Sequence, residues 1–332
     1  MARQQGNEGR WQSAKLSSFY LLALSVSSCT LARPDEAVRL QQNARLVEEV
    51  KGFGRTLGIE PTEALSHTVR EQPPLAMLWL WMQRDGTLAL EKPVDIRIAI
   101  GFTALSEDLK LEQVYQVEGY SVYYRQGNEF ADSRSLATAA FADEGTLRRV
   151  KVILHEDLHG DNNFALPWEL EESIVTPLGS LAAVEFFRHK GDRQQLKLAL
   201  ASLEEERQLA RELNALVVEA EKIFKIETIE NAKTQILNLM PSYPVYNRQF
   251  RSQTAHQHAA TVLEAKLSHD LVYYRYFDQI VALSEKVGNL KALIDDFKKL
   301  PQNISQDGMR AYLQELKTRY NALGATCVLR SA

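Results

Sequence analysis

The chain has 332 residues, of which 45% are hydrophobic and 25% are charged, and its formal net charge is −4 at pH 7. This composition is typical of a globular protein with a buried core, and the length corresponds to about two domains. The mild negative charge and the lack of a basic cluster argue against nucleic acid as a partner.

The first residues have the pattern of a bacterial export signal. Residues 1–15 are polar and contain the basic residues Arg3, Arg10 and Lys15 against the single acid Glu8, and residues 16–29 are uncharged and end in Val26-Ser27-Ser28-Cys29. A basic start, a short apolar run and small residues before a cleavage point are typical of a secretory signal. The last four residues look like a lipobox, so we predict a signal peptide over residues 1–28 and lipidation of Cys29. The alternatives are a plain signal peptide and a serine-rich amphipathic start that is not cleaved.

Lipidation would make the protein a membrane-anchored lipoprotein of the bacterial cell envelope, exported and facing the periplasm. The chain has two cysteines, Cys29 and Cys327, so lipidation of the first leaves no disulfide. The uncharged run is too short to cross a bilayer, and no later stretch approaches about 18 uninterrupted apolar residues. The membrane is therefore expected as a partner only through the lipid anchor.

The segments that follow predict helix and then sheet. Residues 34–57 have an amphipathic pattern with a glycine stop, and residues 63–72 are expected to add a short helical turn before two prolines. Residues 75–82 are an aromatic-rich run, for which a place in the core is favoured over a substrate subsite. Residues 94–100 alternate apolar and polar side chains, and residues 119–125 have the composition of a second strand. A small sheet is therefore predicted.

The stretch 150–159 ends in His155-Glu156-Asp157-Leu158-His159, which has the pattern H-E-x-x-H at the end of an apolar run. On a helix the two histidines are one turn apart on the same face. Two imidazoles so placed can occupy two corners of a tetrahedral zinc ion, and the glutamate can act as a base toward its water. A chance match is the alternative, but the run before the motif predicts a buried helix, where these polar side chains are costly without a metal or a partner.

Nearly all of the chain after the motif is predicted to be helical. One long amphipathic helix covers 196–220 and a second covers 232–239, which two prolines end. A third is predicted over 254–287, and shorter helices over 290–300 and 309–323 complete the chain. The simplest interpretation of their charged faces is that they are exposed to solvent.

A catalytic zinc site needs a third protein ligand, and the segment after the motif offers three carboxylates. Glu172 lies at the start of a helical face on which the later residues, including Gly179, have small side chains. Small side chains allow this helix to approach the motif helix closely. Glu169 lies one turn earlier and is the second choice, whereas Glu171 points elsewhere and suits a supporting role. Acidic residues near a helix N-terminus are also stabilised by the helix dipole. This effect alone could explain the presence of any one of the three glutamates.

The two segments together resemble a bacterial aminopeptidase family of exported zincin-like proteins, in which an H-E-x-x-H helix precedes an N-E-S-x-A-T segment. The matching residues here are 154–159 and 171–176, and weaker similarity extends to 50–59 and 276–300. The resemblance implies His155, His159 and Glu172 as ligands of one zinc ion and Glu156 as the catalytic base. This chain has Glu171 and Val175 in place of the family's asparagine and alanine.

The sequence as a whole predicts a mostly helical α+β protein with a zincin-like fold. Its expected parts are the signal over 1–28, an N-terminal lobe with a small sheet and the motif helix over 29–165, and a helical lobe over 166–332. The expected function is a zinc metallopeptidase, an aminopeptidase by resemblance, that acts on peptide substrates through metal-activated water. The alternative is a lipid-anchored helical binding or scaffold protein with a structural or vestigial metal site.

Two parts of such an enzyme stay open at this point. A donor for the developing oxyanion is needed, and the candidates are Tyr120, Tyr123, Tyr124, Tyr246 and His269. An aminopeptidase also needs an anchor for the free amine of its substrate, for which Glu169 or Glu171 is available.

Overall fold

The computed structural model describes residues 36–69, 75–89, 96–104, 117–127, 135–160 and 162–330, together with residues 115, 131 and 133. The predicted signal over residues 1–28 and Cys29 lie outside these residues. Residues 35–332 form one compact unit. The predicted division into 29–165 and 166–332 stays a prediction, and both segments contribute to the site below.

Helices make up most of the described chain, which confirms the prediction of a predominantly helical α+β fold. In chain order they are α1 (Glu36–Thr56), α2 (Ala139–Asp143), α3 (Thr146–Leu158), α4 (Trp168–Lys190), α5 (Arg193–Ile226), α6 (Ile229–Leu239), α7 (Pro244–Gln253), α8 (Ala259–Tyr274), α9 (Phe277–Val287), α10 (Leu290–Phe297) and α11 (Gln306–Arg330), with a 3-10 turn at Met240–Ser242. Among the residues described, no helix combines the length and the apolar character that crossing a membrane requires.

The predicted small sheet is also present. It is antiparallel, with the order β3-β2-β4, and consists of β2 (Leu75–Arg84), β3 (Ile96–Ala104) and β4 (Tyr120–Gly127). A separate parallel pair joins β1 (Thr68–Val69) to β5 (Ala137–Thr138).

The register of the sheet decides which side chains share a face. Trp81 is opposite Tyr123 of β4 and Arg97 of β3, and Trp79 is opposite Arg125. Directly opposite residues project to the same side, and residues two apart along a strand do so as well. These five side chains therefore lie on one face of the sheet. This face packs against α8, because the His269 ring lies 4.4 Å from the Trp81 ring and 4.9 Å from the Tyr123 ring. The core position predicted for the aromatic run is confirmed by Trp81, which is buried.

The short helical turn expected over residues 63–72 is wrong for the described residues 63–69, which form turns and then β1. The reason is a contact with the segment before α2. Leu65 has a φ of 61°, which a helix cannot contain, and its N–H donates to the Ser135 carbonyl at 2.7 Å. The Ala137 N–H in turn donates to the His67 carbonyl at 2.9 Å.

The single helix expected over residues 254–287 is replaced by α8 and α9, which are separated at Arg275 and Tyr276. The Tyr276 hydroxyl donates to Gln306 Oε1 at 2.7 Å, so the chain turns toward α11 at this point.

An additional helix, α7, starts at Pro244, where a proline is compatible with the first turn. Its free N–H groups at Val245 and Tyr246 donate to Glu212 Oε2 at 2.8 and 2.9 Å.

Helix α3 passes through the main hydrophobic core and packs against α1 and α4. Val150, Ile153, Leu154 and Leu158 are buried, and each fully buried apolar side chain contributes about 1.5–3 kcal/mol. The buried helix predicted for the H-E-x-x-H motif is therefore confirmed. The polar residues of the motif lie at the C-terminal end of α3, close to α4.

Candidate metal centre

The two motif histidines lie at the C-terminal end of α3 with their imidazoles turned toward each other. His155 is in the last turn and His159 caps the helix, and their Nε2 atoms are 3.2 Å apart. Both side chains are largely buried. The one-turn separation read from the sequence therefore brings two nitrogen donors to one point, as predicted.

The loop after the motif is held by hydrogen bonds that the sequence analysis did not predict. Asn163 Nδ2 donates to the Asp157 carbonyl at 2.8 Å and to the Glu60 carbonyl at 3.0 Å. Asp157 Oδ1 accepts from Lys51 Nζ at 2.6 Å and from the Thr62 N–H at 2.9 Å. Asp157 is buried, so these partners offset the cost of its desolvation. They fix the helix end from which the histidines project.

Glu172 completes a triangle of donor atoms with the histidines. Its Oε2 lies 3.4 Å from His155 Nε2 and 3.3 Å from His159 Nε2. A tetrahedral ion with bonds of about 2.0–2.1 Å separates neighbouring ligand atoms by about 3.3–3.4 Å. The three edges of this triangle therefore match those of a tetrahedral site, and the three residues can hold one metal ion.

A buried oxygen without a hydrogen bond supports the same conclusion. Glu172 Oε1 accepts from Trp168 Nε1 at 3.1 Å, whereas the buried Oε2 makes no well-aligned hydrogen bond and has only the two imidazoles within ion-pair distance. Such an atom is costly unless it has a partner. A cation bound between Glu172, His155 and His159 would supply that partner. Two imidazoles and one carboxylate suit a transition metal or zinc and do not suit calcium or magnesium.

A glycine of α4 lies against the backbone of α3 at His155. A Cβ atom placed on Gly179 would lie 3.4 Å from both Cα and Cβ of His155. This distance is at the lower limit of ordinary van der Waals contact, so α4 lies close to the backbone of α3 here and a larger side chain would have little room. The small face predicted beyond Glu172 thus has the expected effect. Among the described residues, Glu169 is not part of the donor group, and it lines a different recess with Ser173 and Arg275.

Glu171 supports His159 from outside the triangle. Its Oε1 lies 2.7 Å from His159 Nδ1. A carboxylate at this nitrogen favours the tautomer in which Nδ1 carries the proton and Nε2 offers its lone pair to a metal. The supporting role predicted for Glu171 therefore agrees with the geometry. Glu171 was also a candidate anchor for the substrate amine, but its carboxylate is occupied by this contact with His159.

The donor group is charged when it holds no metal. Burial alone would lower the pKa of His159, but Glu172, Glu171 and Glu156 outweigh it and raise that pKa well above its ordinary value. Burial would likewise raise the pKa of Glu172, but His159 and His155 hold it well below its ordinary value. A metal must therefore displace a proton from His159, so metal binding weakens as the pH falls.

Glu156 and His155 line a cavity of about 530 Å³ between α3, α4, α5 and the end of β4. Glu156 is buried, and it follows the first histidine directly. The cavity volume is within the usual range of about 300–1,000 Å³ for small-ligand sites. An acidic side chain and one histidine of the candidate metal site thus line the same cavity.

Tyr273 of α8 also lines this cavity, and the sequence analysis missed it. Burial raises the pKa of its hydroxyl, and the nearby Glu172 raises it further. The hydroxyl therefore keeps its proton and can donate a hydrogen bond. The only signal in the sequence was its position one turn after His269, on the same face of the helix.

The five oxyanion donors considered from the sequence do not line the cavity beside Glu156. The Tyr246 hydroxyl donates to Asp270 Oδ2 at 2.9 Å, and His269 Nδ1 lies 2.8 Å from Asp270 Oδ1. Burial lowers the pKa of His269 to about 4, although Asp270 opposes this shift. Tyr123 stacks on Trp81, and Tyr120 and Tyr124 line a separate cavity of about 470 Å³.

An arginine of the sheet lies beside the acidic end of α4. The Arg97 guanidinium is 4.2 Å from the centroid of the Trp79 ring and 3.8 Å from that of the Trp168 ring. Burial lowers the pKa of Arg97, while Tyr273, Glu172 and Glu169 counteract this shift. Since Trp168 also donates to Glu172, the stack connects the sheet to a metal ligand.

Comparison with family models, curated proteins and solved structures produced no match for this chain.

Proposed function

We propose that this protein is a zinc-dependent peptidase with a zincin-like site formed by His155, His159 and Glu172. The observation that carries the proposal is the triangle of donor atoms, whose edges of 3.2, 3.4 and 3.3 Å match a tetrahedral ion. Glu156 lies beside this triangle on the wall of an open cavity. The resemblance to the exported aminopeptidase family supports the same class of protein.

His155, His159 and Glu172 would hold the zinc ion, which would supply Lewis acidity that lowers the pKa of water and polarises an amide carbonyl. Glu156 takes the proton of the attacking water and passes it to the leaving amine. Tyr273 donates a hydrogen bond to the carbonyl oxygen as negative charge develops on it. Glu171 keeps His159 in the orientation and tautomer that binding requires.

The proposal covers peptide hydrolysis, and the choice of aminopeptidase over endopeptidase stays a prediction from resemblance. Glu171, one of the two candidate amine anchors, contacts His159, and Glu169 lines a separate recess. The place of action is proposed from the sequence alone. Export and lipidation of Cys29 would put the enzyme at the periplasmic side of the envelope, where it would meet peptides.

The experiment compares the wild-type protein with Glu156→Gln and His155→Ala after purification with zinc. We expect one zinc ion per chain in wild type and in Glu156→Gln, and none in His155→Ala. Hydrolysis of a mixed peptide library should fall by about 10²–10⁴-fold in Glu156→Gln, because it loses general-base catalysis. Glu185→Gln is the matched control, since its half-exposed side chain lies on α4 beyond the site.

Two outcomes would contradict the proposal in different ways. Stoichiometric zinc without hydrolysis of any peptide would favour the binding or scaffold alternative. Unchanged zinc content in His155→Ala would show that the donor group is not the metal site.

A further inference from the structure

Glu172 has two carboxylate oxygens, and the structure gives them different neighbours. Oε2 completes the triangle of donor atoms, at 3.4 Å from His155 Nε2 and 3.3 Å from His159 Nε2. Oε1 accepts a hydrogen bond from Trp168 Nε1 at 3.1 Å. Trp168 is the first residue of α4 and Glu172 lies one turn later, so the two side chains share one face of the helix. The indole therefore occupies the carboxylate oxygen that is not part of the triangle.

The Trp168 indole is held in turn by a residue of the sheet. The Arg97 guanidinium lies 3.8 Å from the centroid of the Trp168 ring and 4.2 Å from that of the Trp79 ring. A guanidinium so placed is attracted to an aromatic ring and can stack on it. Arg97 is opposite Trp81 in the pairing of β3 with β2, so the register of the sheet determines its position. The orientation of the indole thus depends on a contact between α4 and a strand of the sheet.

The number of oxygens that Glu172 offers decides how many positions remain open at a metal ion. A carboxylate can bind a metal through one oxygen or through both. With both oxygens bound, Glu172 and the two histidines would supply four donor atoms, which fill a tetrahedral site. With one oxygen bound, three donor atoms leave the fourth position for water or substrate, as in catalytic zinc sites. The hydrogen bond from Trp168 favours the second arrangement because it occupies Oε1.

We propose that Trp168 is a positioning residue that restricts Glu172 to a single metal-binding oxygen, and that Arg97 acts through Trp168 by holding its indole in place. The inference rests on the metal centre of the proposed function, and it adds the residues that keep the fourth position of that centre open. It does not depend on which bond the protein cleaves, so metal binding alone can test it.

The test uses the full-length protein, freed of metal with a chelator and then loaded with cobalt(II), whose visible absorption reports its ligands. Trp168→Phe keeps an aromatic ring beside Arg97 and removes the N–H that binds Oε1. The freed oxygen should then bind the metal, where it displaces water or adds a further ligand atom. We expect a changed cobalt spectrum and a severalfold weaker affinity for added azide, because azide must then compete with an oxygen of the protein. Trp168 is half-buried, so this conservative variant is expected to fold.

A variant of the arginine separates positioning from simple charge. A cation near a metal ion repels it, so removal of the charge alone would strengthen zinc binding. If Arg97 holds the indole, Arg97→Gln should weaken zinc binding by about twofold to fivefold, the size of an exposed cation–π contact. This weakening should disappear in the Trp168→Phe background, because the N–H through which Arg97 acts is already absent. Stronger zinc binding by Arg97→Gln, or equal weakening in both backgrounds, would overturn the role of Arg97.

Two controls match these substitutions at other positions. Arg84→Gln removes an arginine that lies over the Tyr120 ring in the same sheet. Trp81→Phe removes an indole N–H for which the described residues offer no acceptor. Both should keep the cobalt spectrum and the azide affinity of wild type. The same spectrum and azide affinity in wild type and Trp168→Phe would overturn the inference and leave the metal centre in place, whereas a wild-type protein that binds neither cobalt nor zinc would contradict both.

Discussion

Replacing Glu172 with glutamine is the most direct test of the metal centre. The substitution keeps the size of the side chain. In wild type Glu172 Oε1 accepts from Trp168 Nε1 at 3.1 Å, and the amide oxygen of glutamine can still accept this hydrogen bond. It removes the carboxylate oxygen that lies 3.4 and 3.3 Å from the two imidazole nitrogens. Loss of an outer hydrogen-bond partner of a metal ligand costs about 10–100-fold in affinity. Loss of the ligand charge itself should therefore cost at least about a hundredfold.

This change in affinity has a predictable effect on thermal stability. With free zinc at about 100 times the Kd, binding stabilises the folded protein by about 2.7 kcal/mol. Large domains shift their Tm by about 2–4 °C per kcal/mol, which gives a rise of about 5–11 °C in wild type. At the same zinc concentration a variant that binds about a hundredfold more weakly gains about 0.4 kcal/mol, or about 1 °C.

The assay is a thermal melt of chelator-treated protein at increasing concentrations of free zinc. Glu185→Gln is the control, since it removes a carboxylate from the same helix at a half-exposed position. It should show the full rise in Tm. An equal zinc-dependent rise in wild type and Glu172→Gln would refute the placement of the metal at this triangle. A rise with calcium or magnesium but none with zinc would refute the choice of ion.

Three further predictions concern the residues around the triangle. Glu171→Ala should lower zinc affinity about 10–100-fold, measured by competition with a chelator, and Glu171→Gln should lie closer to wild type because it keeps an acceptor for His159 Nδ1. Tyr273→Phe should lower kcat by about 10²–10³-fold with zinc content unchanged, and a fall of less than twofold would exclude Tyr273 as the oxyanion donor. The raised pKa of His159 predicts that zinc affinity increases with pH until this imidazole loses its proton, and equal affinities at pH 5.5 and pH 8 would contradict it.

The parts of the site that were predicted correctly depend on local geometry. His155 and His159 are one helical turn apart, so their convergence follows from the period of the helix. The choice of Glu172 over Glu169 followed from the small residues beyond it, and the contact of Gly179 with His155 shows why that pattern was informative. Each of these relations lies within one helix or between two helices that are adjacent in the chain.

The parts that were missed depend on contacts between distant segments. Arg125 and Tyr273 line one cavity, although 148 positions separate them (273 minus 125). Arg125 owes its direction to its pairing with Trp79, and a shift of one residue would turn it to the other face. The break between α8 and α9 likewise lies where Tyr276 donates to Gln306, a contact between distant segments that no local pattern indicates.

The same geometry bears on whether a metal here acts in catalysis or only in folding. Structural zinc sites are closed by four protein ligands, whereas catalytic sites have three and leave one position open. Within the described residues the donor group contains three, namely His155, His159 and Glu172. One of them, His155, also lines the cavity that contains Glu156. This favours the peptidase over the scaffold alternative.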